Sequence, residues 1–409
     1  INIPEQVTSI NHCLQNCSSL PHLTIPASVT NIVNTAFNGC SGLKSLTFED
    51  GSDVLSLGYK AKSASIYILG QGLFYDCPLE SVYLGRNLEY ESAVTLGCSP
   101  FCNQTALTSL TLGKYAVRDT EADDDDAETP TVVRRAATDS DSAAEETVDL
   151  GTITEVPANA FMGCTGLTEL YVPENVNSIG ASAFSGCTGL TDITLADSDD
   201  ELSLDSGVFT NVDPTTVYVG RELTGTVANL FEGRTNLKTI EFVGGCTTVP
   251  DYCIKDCTNL QTLHYGENVT SVGTDAVIGC AAITSLQSDN TVPPTMNSEY
   301  EEILYYPNLT PDVPTESLAA YKAANIWEKF WPKNVSDIDG VYAYGDDTDS
   351  RIRMEGNTIE IMGSDNEECR IIAINGTVIY NGKINCKIAL KQGVYLVVVS
   401  NHVYKVISR

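Results

Sequence analysis

Residues 179–195 read IGASAFSGCTGLTDITL, and the pattern stands twenty-three residues earlier as VPANAFMGCTGLTELYV at 156–172. Phe184 falls on Phe161, Cys187 on Cys164 and Leu190 on Leu167; further copies centre on Cys17, Cys40, Cys257 and Cys280. A fixed period of this size marks a repeat array, in which each unit stacks on its neighbours around a core that runs along one axis. Function in such a chain is read from the stacked surface.

Aligning the copies gives I-P-x-x-V-x-x-I-x-x-x-A-F-x-G-C-x-x-L-x-x-L-x-L. The closing L-x-x-L-x-L predicts a strand whose alternate side chains face the core, and V-x-x-I predicts a second, shorter extended segment. Between them A-F-x-G-C turns the corner, with Phe filling the interior and Gly permitting a tight bend. Ten units end near Ile25, Phe48, Leu84, Leu112, Val172, Leu195, Val219, Phe242, Tyr265 and Ser288. The third is swollen by a polar stretch at 51–65. Two segments match outside the consensus, YLGRNL at 83–88 and YVGREL at 218–223, which suggests a duplicated half-array. Residues 114–149 carry the run Asp123–Asp126 and almost no large apolar residue, so an acidic loop insertion is expected there. It lacks the spaced ligands of a calcium loop, and Arg134-Arg135 within it would suit a protease.

After Ser288 the period fails. Pro314 and Thr315 suit the start of a short helix whose apolar residues, Leu318, Tyr321, Ile326, Trp327 and Phe330, would cap the array. From Ile352 onward short runs with period two, separated by Asn375-Gly376 and Asn381-Gly382 as hairpin signals, predict a small antiparallel β-sandwich. The expected fold is therefore mostly β: a solenoid of about ten units over 1–288, its cap over 289–338 and a sandwich over 339–409.

A formal net charge of −31 argues against nucleic acid or an anionic membrane as partner. No apolar run approaches the roughly 18–20 residues of a membrane span. Because Ile1 already stands inside the motif, a leader and a polar cap are expected to precede it. Eight of the fourteen cysteines align to one consensus slot: Cys17, Cys40, Cys77, Cys102, Cys164, Cys187, Cys257 and Cys280. Cys13, Cys98 and Cys253 lie four residues earlier, where other copies have Ala, and Cys246 takes a slot held elsewhere by Val. Exchange with Ala and Val points to reduced thiols used as small core groups. Cys369 and Cys386, outside the array, are the pair best suited to a disulfide, with free thiols as the alternative.

Four histidines, His12, His22, His264 and His402, are scattered, and no nucleophile elbow, zincin or phosphate-loop motif occurs. No catalytic residue, metal ligand or cofactor is assigned, and an enzyme is not expected. Binding has a defined place, the two outward positions flanking the second Leu of each L-x-x-L-x-L. Ser and Thr dominate there, as β-propensity and hydroxyl ladders would produce without any ligand. The candidate binding residues are Tyr83, Tyr171, Asp192, Thr194, Tyr218 and His264, the aromatics offering platforms for a polypeptide or a sugar.

The repeat resembles the BspA-like leucine-rich-repeat proteins of Bacteroidetes, which are also expanded in some mucosal protozoa. Residues 312–335, DVPTESLAAYKAANIWEKFWPKNV, look like the closing segment that follows such repeats. Residues 356–409 are similar to C-terminal sorting domains of type IX secretion, through IIAINGTVIYNGK at 371–383 and GVYLVVVSNHVYKVISR at 393–409. The resemblance implies a secreted or surface-attached, non-enzymatic adhesin that binds host or bacterial proteins, with a carbohydrate-binding surface protein as the alternative.

Overall fold

The computed structural model describes residues 1–33, 36–58, 73–74, 77–90, 99–113, 153–296, 309–330, 342–343, 352–355, 358–362, 368–373, 378–383, 385–391, 393–399 and 402–408. The acidic insertion, Cys98, the Asn375-Gly376 signal and residues 59–65 of the swelling in the third unit lie outside these residues. The chain forms two compact units, Ile1–Trp331 and Pro332–Arg409.

The first unit is a parallel β-solenoid. Its ten four-residue strands, from His22–Ile25 to Ser285–Ser288, end at the ten residues the repeat alignment marks. Four of them form one parallel sheet and six another, each strand paired in register with the equivalent residues of the next. Alternation sets the orientation: in Glu169–Val172, Leu170 and Val172 are buried while Glu169 and Tyr171 are exposed. Short strands such as Glu155–Val156 and Ser178–Ile179 build a second parallel face.

Phenylalanines stack along the corner between these faces. Ring centroids are 5.2 Å apart for Phe101–Phe161, 5.6 Å for Phe161–Phe184 and 5.7 Å for Phe209–Phe231. This is close to the ~4.8 Å strand spacing that the ladders impose. The Phe101–Phe161 contact shows that the array continues unbroken across the insertion. Gly186 before Cys187 is left-handed, φ +74°, and Asn16, Asn103 and Asn211 hold φ 59° in the same slot of other units. Asn replaces Gly there because it tolerates this conformation best among residues with a Cβ.

Register corrects the cysteine alignment. Phe161 precedes Cys164 by three residues, but the residue three after Phe101 is Gln104, so Cys102 lies outside the slot. In every unit but that of Val212 the slot holds a hydrogen-bond donor, which the apolar reading of these thiols does not foresee. Cys187 Sγ donates to Phe161 O at 3.1 Å, Cys257 to Phe231 O at 3.1 Å and Cys280 to Ile254 O at 3.0 Å. Gln104 Nε2 reaches Phe74 O at 2.6 Å, and Arg234, also in this slot, reaches Phe209 O at 3.2 Å. Each bond satisfies a corner carbonyl of the preceding unit. Burial pushes the Cys187 thiol up to about 12, which keeps its proton in place to donate. The cysteines of the array among the described residues are free thiols.

The matching YLGRNL and YVGREL segments carry one structural device. Arg86 and Arg221 are fully buried and reach over an intervening unit to backbone carbonyls of the turn beyond it. Arg86 donates to Pro26 and Ala27 at 2.9 and 2.8 Å. Arg221 donates to Val172, Pro173, Glu174 and Val176 at 2.8–3.3 Å. Gly220 is required by close approach, since a Cβ there would lie 2.6 Å from Asp197 N.

The array ends in the helix Leu318–Ala323, six residues long, followed by a 3-10 turn at Trp327–Phe330. The helical spacing expected over this segment breaks between them, where Ala324 is extended and Ile326 has φ 67°. Asp312 bridges Gln287 in parallel and so covers the edge of the last long strand. Pro311 and Pro314 flank it and cannot donate to a further strand.

The second unit has a five-stranded and a three-stranded antiparallel sheet around Ile359, Ile361, Cys369, Ile371, Leu390, Tyr395 and Val397. The hairpin expected at Asn381-Gly382 is not formed. Both residues lie inside the strand Val378–Lys383, paired with Arg370 and Cys369. The next strand, Cys386–Ala389, belongs to the other sheet, so the connection crosses between sheets and turns at Asn385, φ 62°.

Candidate functional site

The outward positions of the long strands form two rows. In the six-stranded sheet one row runs Tyr171, Thr194, Tyr218, Glu241, His264 and Gln287, and the other runs Glu169, Asp192, Thr216, Thr239, Thr262 and Ser285. In the four-stranded sheet the corresponding rows are Thr24, Thr47, Tyr83, Thr111 and His22, Ser45, Ser81, Ser109. Five of the six candidate residues thus share one sheet, and Tyr83 stands on the other. Asp192 and Thr194 are half-buried neighbours on one strand, the latter between Tyr171 and Tyr218 in its row.

The tyrosines do not play equal parts. Tyr83 Oη donates to Asp50 Oδ1 at 2.6 Å, and Tyr218 Oη donates to Asp197 Oδ1 at 2.8 Å. Burial, and then the Asp50 carboxylate, push the Tyr83 phenol upward and keep it a donor. These two side chains are pinned by the duplicated Tyr-x-Gly-Arg device. Tyr171 is 37 % exposed, the most exposed aromatic among the described residues of this face.

His264 is the most constrained polar group on the face. Its Nδ1 is 3.4 Å from Glu241 Oε2 and its Nε2 is 2.7 Å from Asp289 Oδ2, while Gln287 Nε2 donates to Asp289 Oδ1 at 2.7 Å. With both ring nitrogens committed to carboxylates, neither is placed to activate a nucleophile. Among the described residues no group of His, Cys, Asp and Glu is arranged to hold a metal ion. Desolvation alone lowers the His264 pKa, but hydrogen bonds and charge from Glu241 and Asp289 outweigh it, so the net shift is upward.

The sign of the resulting pH dependence follows from linkage. A base with a raised folded-state pKa contributes stability that is full below its unfolded pKa of about 6.5 and is lost as pH rises through the folded value. Wild type is therefore expected to lose melting temperature relative to His264→Asn above about pH 6.5. Thermal melts of both proteins from acid to mildly alkaline pH check this. A difference that stays constant with pH would contradict it.

The profile of the BspA type leucine rich repeat region matches residues 1–120 and 154–284 in six copies. The chain belongs to this family. Three solved leucine-rich repeat structures are similar to it. The one from Bacteroides ovatus is 14 % identical, with 75 % of this chain and 88 % of that one covered and a TM-score of 0.25. A leucine rich cell surface protein of Faecalibacterium prausnitzii is 16 % identical over 72 % and 84 %, TM-score 0.22. The Eubacterium ventriosum protein is 14 % identical over 69 % and 75 %, TM-score 0.29. No curated protein matches the chain. The BspA-type match ends at residue 284 and leaves the sorting-domain resemblance of the terminal unit outside the family region.

Asp50, Asp197 and Asp289 join the candidate face but were not singled out in the sequence. Each lies in the turn just after a long strand and meets the third position of a strand in an adjacent unit. That offset is visible once the units are aligned, since Asp50 and Asp197 both stand two residues past their strand ends, Phe48 and Leu195.

Proposed function

We propose that this BspA-type protein is a surface or secreted adhesin that binds a protein ligand across the face of its six-stranded sheet. The observation that carries the reading is the in-register row from Tyr171 to Gln287. It sets an exposed aromatic, a threonine, a pinned tyrosine and a carboxylate–histidine pair side by side on a rigid scaffold. Flat rows of this kind suit an extended polypeptide or a protein surface, with Tyr171 as an anchor of the sort that dominates interface energetics. Cell-surface location rests on the family resemblance and on the description of the Faecalibacterium neighbour. Among the described residues no helix is long and apolar enough to cross a membrane.

The sugar-binding alternative gains less support, because Tyr83 and Tyr218 are held by Asp50 and Asp197, which leaves Tyr171, at 37 % exposure, as the most exposed of the three tyrosines. A panel of host extracellular-matrix proteins and a glycan array, probed with the same preparation, separates the two readings. For a protein ligand, Tyr171→Ala combined with Thr194→Arg is expected to weaken binding at least about tenfold with an unchanged melting temperature. Affinity that survives this pair of changes removes the face from consideration.

A further inference from the structure

Only two of the fourteen cysteines, Cys369 and Cys386, belong to the terminal unit. Their Sγ atoms are 4.0 Å apart. Cys369 lies on Glu368–Ala373, paired with Gly382 and Val399 in the five-stranded sheet. Cys386 opens Cys386–Ala389 in the three-stranded sheet, paired with Ile361. The two thiols therefore face each other across the sandwich and are buried and half-buried respectively.

They differ from Cys164 and Cys187 of the array in what surrounds them. Cys164 and Cys187 sit on adjacent units, yet each thiol is directed at a carbonyl, Phe101 O and Phe161 O, at 3.1 Å. Cys369 has the Lys383 carbonyl only at 4.0 Å, no nearer than the Cys386 sulfur. Cys164 and Cys187 each have a short hydrogen bond that oxidation would abolish; the terminal pair has none as short. A unit with a core this small is also where a covalent clip contributes most.

We propose that Cys369 and Cys386 form a disulfide that ties the two sheets of the terminal unit together. Bond formation brings the sulfurs from contact to about 2.05 Å, a closure that rotation of two short side chains covers. The oxidant is a small-molecule or protein disulfide of the compartment. The Cys386 thiolate, the more accessible, attacks one sulfur of that disulfide and displaces the other as a thiolate, giving a mixed disulfide. Cys369 then attacks the Cys386 sulfur and displaces the second thiolate. The two thiol protons pass to the two departing thiolates, and two electrons leave the pair as the oxidant is reduced to two thiols. Burial, with the neighbouring sulfur, pushes the Cys369 thiol up to about 12, consistent with Cys386 acting first.

The test uses the full chain equilibrated with oxidised glutathione, then unfolded and alkylated with N-ethylmaleimide without reductant. Peptide mass mapping is expected to show Cys369 and Cys386 cross-linked to each other and unalkylated, while Cys164 and Cys187 are fully alkylated. Alkylation of Cys369 and Cys386 alongside the array thiols, or their appearance bridged to other cysteines, overturns the proposal. Calorimetry gives a second readout. The oxidised chain should show a transition lowered by roughly 10–20 °C in Cys369→Ser/Cys386→Ser or on adding reductant to wild type. Identical melting of all three proteins rejects the clip.

Discussion

Arg221→Met is expected to destabilise the solenoid by about 3 kcal/mol, read as a lower urea midpoint at unchanged slope. The guanidinium is fully buried, and burial holds its pKa down to about 10. It stays inside because four carbonyls converge on it. Val172, Pro173, Glu174 and Val176 accept from its two terminal nitrogens, while Nε is buried with no partner in the structure. Hydrogen bonds to charged groups contribute about 1.5–3 kcal/mol each, and the cost of burying the whole guanidinium offsets part of their sum. Met fills similar volume and removes the desolvation cost, but it leaves the turn at 172–176 without the group that ties it to a unit two further along. Arg86→Met is the internal comparison, with donors to only Pro26 and Ala27, and should cost less. A neutral or stabilising Arg221→Met would show that the arginine is a dispensable buried charge, as some such groups are.

The arginines mark the limit of what pattern reading delivers. The strands were legible because two independent signals coincide at each of them, the twenty-three-residue period and the alternation of L-x-L. Agreement between period and pleat leaves little freedom for register. Cys102 matches the slot in identity but not in spacing, and Gln104, at the right spacing, makes the same bond with a different side chain. Arg86 and Arg221 were visible as a repeated motif with no role, since hydropathy places arginine outside. Tyr83 looks like an exposed platform in the sequence because the partner that pins it, Asp50, lies thirty-three residues earlier in the turn of another unit.

That same separation explains how the face is built. In a solenoid every outward side chain has neighbours one period away on either side, so its environment is set by residues that no local window contains. His264 shows the result: its two carboxylate partners come from the unit before and from the turn after the following strand. Specificity in such an array lies in combinations across units, and the exposed Ser and Thr between them are compatible with the ladder alone.

Trp327→Ala tests how the array is closed and is expected to cost about 3–5 kcal/mol. Trp327 is fully buried, its ring edge-on to Tyr321 at 4.9 Å and to Tyr265, on the ninth long strand, at 6.4 Å. Its Nε1 donates to Pro294 O at 2.8 Å. Tyr321 Oη donates to Asn290 O and accepts from Ser288 Oγ, both at 2.7 Å, which joins the helix to the end of the last strand. Removing the indole opens a cavity in the cap and leaves a buried carbonyl without its donor. The first consequence should be local: amides of Ser285–Ser288 should exchange with solvent faster than those of Glu169–Val172 in the same sheet. The second follows from geometry, since loosening Asp312 from Gln287 exposes a strand edge that can pair with another chain. Light scattering should then report association of Trp327→Ala at concentrations where wild type does not associate. Tyr321→Phe, which keeps the ring and loses only the hydroxyl bonds, should cost about 1 kcal/mol and leave the edge covered. If Trp327→Ala melts cooperatively like wild type, with unaltered exchange at Ser285–Ser288, the cap does not hold that end of the array.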